Sequence, residues 1–279
     1  MPFTVPGKWR NTGATMATEH RARKRFGQNF LHDQRIIDRI IDAVNPGEQD
    51  YLIEIGPGQG ALTNRLAGHC KHLDVIEIDR DLAAEFSRQF AGDDHFTLHN
   101  ADVLRFDFST LPRQEHGYRV IGNLPYNIST PLLFHLFGCK DLFADMLFML
   151  QLEVVNRMCA QPGSKSYGRL SIMTQYHCQV EKLFPVPASA FQPQPKVESA
   201  IIRLRPWKTP PSPADDPALL ESVVRTAFSQ RRKTLQNSLK TLLDKELLTS
   251  LAIDGTRRPE TLSLAEYVTI SNALNQKQQ

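Results

Sequence analysis

The sequence is short of the features that would place it outside the ordinary globular class. Cysteine is scarce: Cys70, Cys139, Cys159 and Cys178 are the only four in 279 residues. None forms a Cys-x-x-Cys pair, and a chain of this length buries a full core without staples. A disulfide scaffold is excluded, and reduced core thiols in a cytoplasmic protein are expected. His69-Cys70-Lys71-His72 is the one metal-like cluster, but no second ligand pair has zinc spacing, so no metal is expected. Long apolar runs are missing too. Pro131–Phe137 and Met146–Leu150 are the longest, far below the ~18 residues of a membrane span. The first twenty residues hold no apolar stretch of the kind a secretory signal needs. Glycine (15) and proline (18) are too few for a collagen-like chain. With 41% hydrophobic and 23% charged residues, the composition is globular rather than disordered or fibrous.

An excess of one charge is also nearly absent, at +3 overall, but the average hides two poles. Residues 1–25 carry Lys8, Arg10, Arg21, Arg23, Lys24 and Arg25 against Glu19, a net of +5. Residues 225–240 carry Arg225, Arg231, Arg232, Lys233 and Lys240 with no acid, again +5, leaving −7 for the rest. Clusters of this kind fit a polyanion such as nucleic acid. They also fit a solvated helix face and a loose tail.

Residues 1–20 read as a disordered leader. Asp33–Val44 reads as a helix capped by Asp33, with Ile36, Ile37, Ile40, Ile41 and Val44 at helical spacing. Strands are expected at Tyr51–Ile55, Leu73–Ile78, His95–His99, Tyr118–Gly122 and Met146–Gln151. Helical patterns at Asp79–Phe90 and Pro131–Phe137 lie between them. This alternation implies a parallel sheet covered by helices, an α/β fold. Val180–Leu183 and Ser199–Leu204 read as further strands around a proline-rich loop. Pro206–Pro213 reads as a linker. Beyond it, Pro217–Phe228, Arg232–Leu243, Lys245–Leu251 and Leu262–Leu274 read as helices. The expected division is a sheet domain over residues 21–206 and a small all-helical domain over 207–279.

Glu54-Ile55-Gly56-Pro57-Gly58-Gln59-Gly60 follows a strand and precedes a helix. Glycines there let the backbone turn sharply and approach a ligand, although turn glycines can be purely structural. Glu77 ends the next strand, where an acid can accept both hydroxyls of a ribose. Asp102 follows the third strand, placed to accept from an adenine amino group. The dinucleotide fingerprint fails, because Ala61 fills its last glycine position. The Glu-x-Gly-x-Gly-x-Gly form instead resembles motif I of S-adenosylmethionine (SAM) methyltransferases, which have a Rossmann-like sheet.

Asn123-Leu124-Pro125-Tyr126 follows the fourth strand, beside the expected cofactor. It resembles the (Asp/Asn/Ser)-Pro-Pro-(Tyr/Phe/Trp) motif of amino-methyltransferases. An exocyclic adenine amine is a poor nucleophile, since its lone pair is delocalised into the ring. The Asn123 side-chain oxygen and the Leu124 carbonyl can accept its two hydrogens and favour sp³ character. Pro125 stiffens the turn, and the Tyr126 ring can stack on the base. No cysteine nucleophile is expected. The same tetrapeptide could be a plain turn with a core tyrosine. Phe191, on the stiff loop Ser189–Ser199, could form the opposite face of an aromatic clamp. It could equally be a plug beneath that loop. Lys196 is a phosphate contact or a solvated lysine.

Several segments together resemble one family, the KsgA/Dim-type small-subunit ribosomal RNA adenine N6,N6-dimethyltransferases. They are Arg23–Leu31, Glu54–Gly60, Val75–Asp79, Gly122–Thr130, Tyr167–Ser171, Phe191–Ser199 and Phe228–Thr234, spread over residues 21–275. The resemblance implies a Rossmann-like SAM-dependent methyltransferase sheet with a helical C-terminal domain. It implies dimethylation of two adjacent adenosines near the 3′ end of small-subunit (16S) rRNA during ribosome assembly, with SAM as donor. By position it adds Asn29 and Leu31 to a cofactor site of Gly56, Glu77, Asp102 and Asn123. It also favours RNA phosphate contacts for Arg23, Lys24 and Arg25 and for Arg231, Arg232 and Lys233. The expected partner is the small ribosomal subunit and its rRNA, met by a cytoplasmic monomer away from membranes.

Three other readings stay open. The related Erm-type large-subunit rRNA methyltransferases share Gln-Asn-Phe and the Asn-(Leu/Ile)-Pro-Tyr-Asn-Ile-Ser-Thr segment. The Arg-Phe-Gly-Gln-Asn-Phe-Leu opening and the Ser189–Val197 loop favour the small-subunit group. A non-catalytic assembly factor on this fold is disfavoured by the intact Glu77, Asp102, Asn123 and Tyr126. A DNA adenine methyltransferase is disfavoured because the sequence shows no separate target-recognition domain.

Overall fold

The computed structural model describes residues 28–230 and 232–278. The leader expected over 1–20, the basic residues Arg23, Lys24 and Arg25, and Arg231 lie outside the described residues. The described chain opens with strand β1 (Phe30–Leu31) and helix α1 (Gln34–Val44). Asp33 caps α1 as its sequence suggests. Its Oδ1 accepts the N–H groups of Arg35 and Ile36 at 2.9 and 3.3 Å, a contribution of about 1 kcal/mol. Ile36, Ile37, Ile40 and Val44 form the buried stripe of α1. Asn45, in the left-handed region at φ 47°, ends it, and Pro46 cannot continue it.

Seven strands form the main sheet: β2 (Tyr51–Ile55), β3 (His72–Glu77), β4 (Phe96–Asn100), β5 (Tyr118–Asn123), β6 (Phe143–Gln151), β7 (Cys178–Val186) and β9 (Ser199–Pro206). Their order is β4-β3-β2-β5-β6-β9-β7. The short β8 (Phe191–Gln192) pairs with β1 instead, antiparallel, with Leu31 opposite Phe191. Helices α2 (Thr63–Leu66), α3 (Arg80–Gln89) and α4 (Ser129–Gly138) lie in the crossovers from β2 to β3, β3 to β4 and β5 to β6. The β4–β5 connection holds only short 3-10 turns at Val103–Arg105 and Phe108–Thr110. The sheet is parallel from β4 to β6, as the alternation implies, but β9 and β7 are antiparallel additions. The loop between β7 and β9 holds no crossover helix, so it can only return the chain as a hairpin.

Alternate residues of each strand face opposite layers. Ile53, Val120 and Phe148 pack with Leu133 and Leu136 of α4. Their neighbours Leu52, Ile121 and Leu147 pack with Ile37 and Ile40 of α1. Each such side chain contributes roughly 1.5–3 kcal/mol by burial. Ile55 pairs with both Ile76 and Gly122, so the carboxyl ends of β2, β3 and β5 stand level. The site forms there.

The C-terminal helices are α7 (Pro217–Phe228), α8 (Leu235–Leu239), α9 (Lys245–Ser250) and α10 (Leu264–Gln278). Two helices precede them in the chain, α5 (Leu152–Met158) and α6 (Arg169–His177). Ile172, Met173 and Tyr176 of α6 share one core with Val223, Val224, Leu239, Leu248 and Tyr267. Phe134 of α4 touches both this core and that of the sheet. The Arg169 guanidinium lies 4.4 Å over the Phe134 ring and pairs with Glu221 at 2.7 Å. This cation–π and ion-pair link fastens α4, α6 and α7 together. The helix expected at Arg232–Leu243 is confined to α8. Arg232 and Lys233 are exposed and stand in the turn before it. Among the described residues, no helix is long and apolar enough to cross a membrane.

Candidate active site

A cavity of about 340 Å³ opens at the carboxyl ends of the parallel strands. Strand order reverses between β2 and β5, and open α/β sheets bind ligands at such a switch point. The lining includes Asn29, Leu31, Gly56, Glu77, Asp102, Asn123, Leu124 and Tyr126. Every residue singled out for cofactor binding and three of the four for the acceptor therefore converge on one space.

The glycine loop makes its floor. Gly56 and Gly58 have φ of +66° and +58°, a region costly for residues with a Cβ. A Cβ on Gly58 would also stand 3.0 Å from the Phe30 ring. Strand β1 is thus pressed against the loop, and Gln28 reaches Asp79 at 3.4 Å. Asp79 is fully buried and caps α3 through the Asp81 N–H.

Glu77 is 4% exposed, and its Oε1 accepts the Asp79 N–H at 2.7 Å. Burial pushes its carboxyl up to about 7. Asp102 Oδ1 accepts the Leu104 N–H at 3.0 Å, which fixes its carboxylate at the cavity edge. Two further lining residues were not singled out in the sequence. Ile78 is 45% exposed, an unusual position for a large apolar side chain, and offers an apolar face to a ring. Glu54 is 2% exposed, and its Oε2 has no hydrogen-bond partner. Burial, then the neighbouring Glu77, pushes it up to about 7 as well. Hydrogen bonding to the hydroxyl and N–H of Thr63, at the start of α2, opposes that rise. An orphaned buried carboxyl oxygen facing a cavity is a place for a ligand donor. The glycine cradle and the acids of β2 and β3 therefore fit a cationic nucleoside carrying an amino-acid tail.

Asn123 Nδ2 donates to the Asn29 carbonyl at 3.0 Å. A backbone carbonyl can only accept, so the other amide atom, Oδ1, is the one left for a ligand. Leu124 buries its side chain, at 1% exposure, among Ile53, Ile55 and Val120. Its N–H donates to Met149 of β6 at 3.2 Å. The turn is closed by the Ile128 N–H donating to the Pro125 carbonyl at 3.1 Å. Tyr126 is half-buried, and its hydroxyl meets Ser199 Oγ at 2.7 Å.

Phe191 stands apart. It is 1% exposed, lies in the core under β1, and does not line the cavity. The expected second face of an aromatic clamp is not presented in this conformation, because the β1–β8 ladder covers the ring. Lys196 is exposed on the same loop. Among the described residues no group of three or more His, Cys, Asp or Glu could hold a metal. Burial pushes the Cys70 and Cys178 thiols up to about 12 and Cys139 to about 11. Thiols so shifted are inert as nucleophiles at neutral pH.

Strand order, glycine loop and paired acids define a Rossmann-like methyltransferase fold with a helical C-terminal region. Relatives narrow this. The chain belongs to the ribosomal RNA adenine dimethylase family, whose model matches residues 19–276. It is 56% identical over 259 residues to the ribosomal RNA small subunit methyltransferase A of Pseudomonas syringae pv. tomato. That match covers 93% of this chain and 97% of the relative. Its fold is similar to that of a dimethyladenosine transferase from Plasmodium falciparum, with a TM-score of 0.76 and 26% identity over 89% of this chain and 98% of that one. The 23S rRNA methyltransferase ErmE is similar too, with a TM-score of 0.66 and 25% identity over 88% of this chain and all of that one.

Proposed function

We propose that the protein transfers methyl groups from SAM to the N6 amines of two adjacent adenosines near the 3′ end of small-subunit rRNA. The product is N6,N6-dimethyladenosine at both positions, formed during assembly of the small subunit in the cytoplasm. The single observation that carries this reading is the Asn123–Asn29 bond. It engages Nδ2 with a carbonyl, which supports Oδ1 as the acceptor offered beside the glycine loop. The small-subunit choice over the large-subunit alternative rests on the 56% identity to a protein of that name, against 25% to ErmE.

SAM supplies an electrophilic methyl on sulfur. Glu77 takes the ribose hydroxyls and Glu54 takes a donor from the amino-acid tail. Asp102 takes the adenine amino group, with Ile78 against the ring. In the first transfer Asn123 Oδ1 and the Leu124 carbonyl accept the two N6 hydrogens of the target. In the second, one of them accepts the single hydrogen that remains. The nitrogen lone pair is thereby withdrawn from the ring and aimed along the methyl–sulfur axis. Each transfer breaks the methyl–sulfur bond and releases S-adenosylhomocysteine. Tyr126 stacks on the base. No strong base is needed before attack, because the methylated amine becomes acidic and sheds its proton afterwards. The exposed Arg232 and Lys233, with Arg231 and Arg23–Arg25, hold RNA phosphates. The protein works as a monomer.

The test is Asn123→Ala. Methyl transfer to immature small subunits is expected to fall at least about 10²-fold, while particle binding, measured by filter retention, is unchanged. Lost binding with full turnover would contradict these roles.

A further inference from the structure

Two side chains of the Asn123–Tyr126 turn are held from outside it. Asn123 is held by the Asn29 carbonyl, and Tyr126 by Ser199. Ser199 is the first residue of β9 and is fully buried. It stands opposite Gln151 on β6 and Val186 on β7, so ladders on both sides fix its direction. A hydroxyl in such a place costs free energy unless it is paired. Its partner is the Tyr126 phenol at 2.7 Å. At its other end Tyr126 is tied through its carbonyl, which accepts the Ser129 hydroxyl at 3.1 Å. Tyr126 is therefore held at its backbone and at its phenol, and it lines the cavity.

We propose that Ser199 is a positioning residue for the target base. It locks the Tyr126 ring in the plane a base must meet, so the stacking face is set before the base arrives. If Tyr126 merely filled space, a phenylalanine facing an apolar residue would do so without burying two hydroxyls. Preorganisation of this kind removes an ordering cost from the seated complex. Particle affinity is set by distant phosphate contacts, so the loss should appear after binding. The proposal rests on reading the cavity as the acceptor site.

Ser199→Ala and Tyr126→Phe each delete one partner of the bond. Three quantities are measured: transfer kinetics on immature small subunits, SAM affinity by calorimetry, and the fluorescence of 2-aminopurine placed at a target adenosine. Each variant is expected to lower kcat about three- to tenfold and to weaken the fluorescence change on seating. Particle KM and SAM affinity should stay within about twofold, and the double variant should be no worse than the more severe single one. Wild-type kcat and fluorescence in Ser199→Ala, additive losses in the double variant, or SAM affinity falling in step with kcat would each overturn the proposal. If Ser199→Ala does not fold, Tyr126→Phe carries the same comparison. Wild-type protein that transfers no methyl at all removes the acceptor-site reading. Active wild type with unaffected variants removes only the role of Ser199.

Discussion

Replacing Glu54 with glutamine separates what the cavity costs the protein from what it gives the ligand. Glu54 and Glu77 are both buried and both pushed from an ordinary 4.5 up to about 7. Such a displacement corresponds to about 3 kcal/mol against the ionised form in each case. The native pKa lies above the unfolded one, so the ligand-free protein binds more protons than the unfolded chain between pH 4.5 and 7. Its stability therefore falls as pH rises through that window. Glu54→Gln removes one ionisation and keeps a carbonyl oxygen for the Thr63 groups that already hydrogen-bond the carboxyl. A net gain of about 1–2 kcal/mol at pH 8 follows, a rise in Tm of about 2–6 °C. A cationic ligand favours the opposite state. Wild-type affinity for SAM should rise about tenfold for each of the two carboxyls between pH 6 and 8, and flatten above. Glu54→Gln should bind more weakly at pH 8 and lose one of those two tenfold steps. Thermal melts and calorimetry at pH 6, 7 and 8 read both effects. Ligand-free wild type equally stable at pH 5 and 8, with a variant no more stable at pH 8, would refute the reasoning.

Two further outcomes are expected. Gly58→Ala forces a Cβ into a left-handed φ and against the Phe30 ring. It should cost about 1–2 kcal/mol of stability and weaken SAM binding in the same calorimetric titration. Particle affinity should fall steeply with salt, and Arg232→Ala with Lys233→Ala should flatten that slope by about two. Affinity unchanged across a several-fold range of salt would make the basic poles mere solvated surface.

The parallel half of the fold was legible because most of its strands are short apolar runs ended by glycine or polar residues, β4 alone carrying only Phe96 and Leu98. The cap at Asp33 was legible for the same local reason. Helix α6 was not, because Leu170, Ser171, Ile172, Met173, Thr174 and Tyr176 are all buried. A helix enclosed on most sides shows no amphipathic period. Strands β1 and β8 have two residues each, too few for any pattern. In the site, Glu77, Asp102 and Asn123–Tyr126 stood out because strand ends were already marked. The isolation of Glu54 Oε2 depends on how α2 and β3 close around it, which spacing does not record. Ser199 lies 73 positions from Tyr126, and only the β9 ladder brings them together. Phe191 is covered by Leu31 across the β1–β8 ladder, a contact invisible in either segment alone.

The central claim is tested most directly by labelling immature small subunits with tritiated SAM and mapping the modified nucleosides. The account predicts label in N6,N6-dimethyladenosine at two adjacent positions near the 3′ end of the small-subunit rRNA. Label confined to naked large-subunit RNA, or label on any atom other than adenine N6, would contradict it.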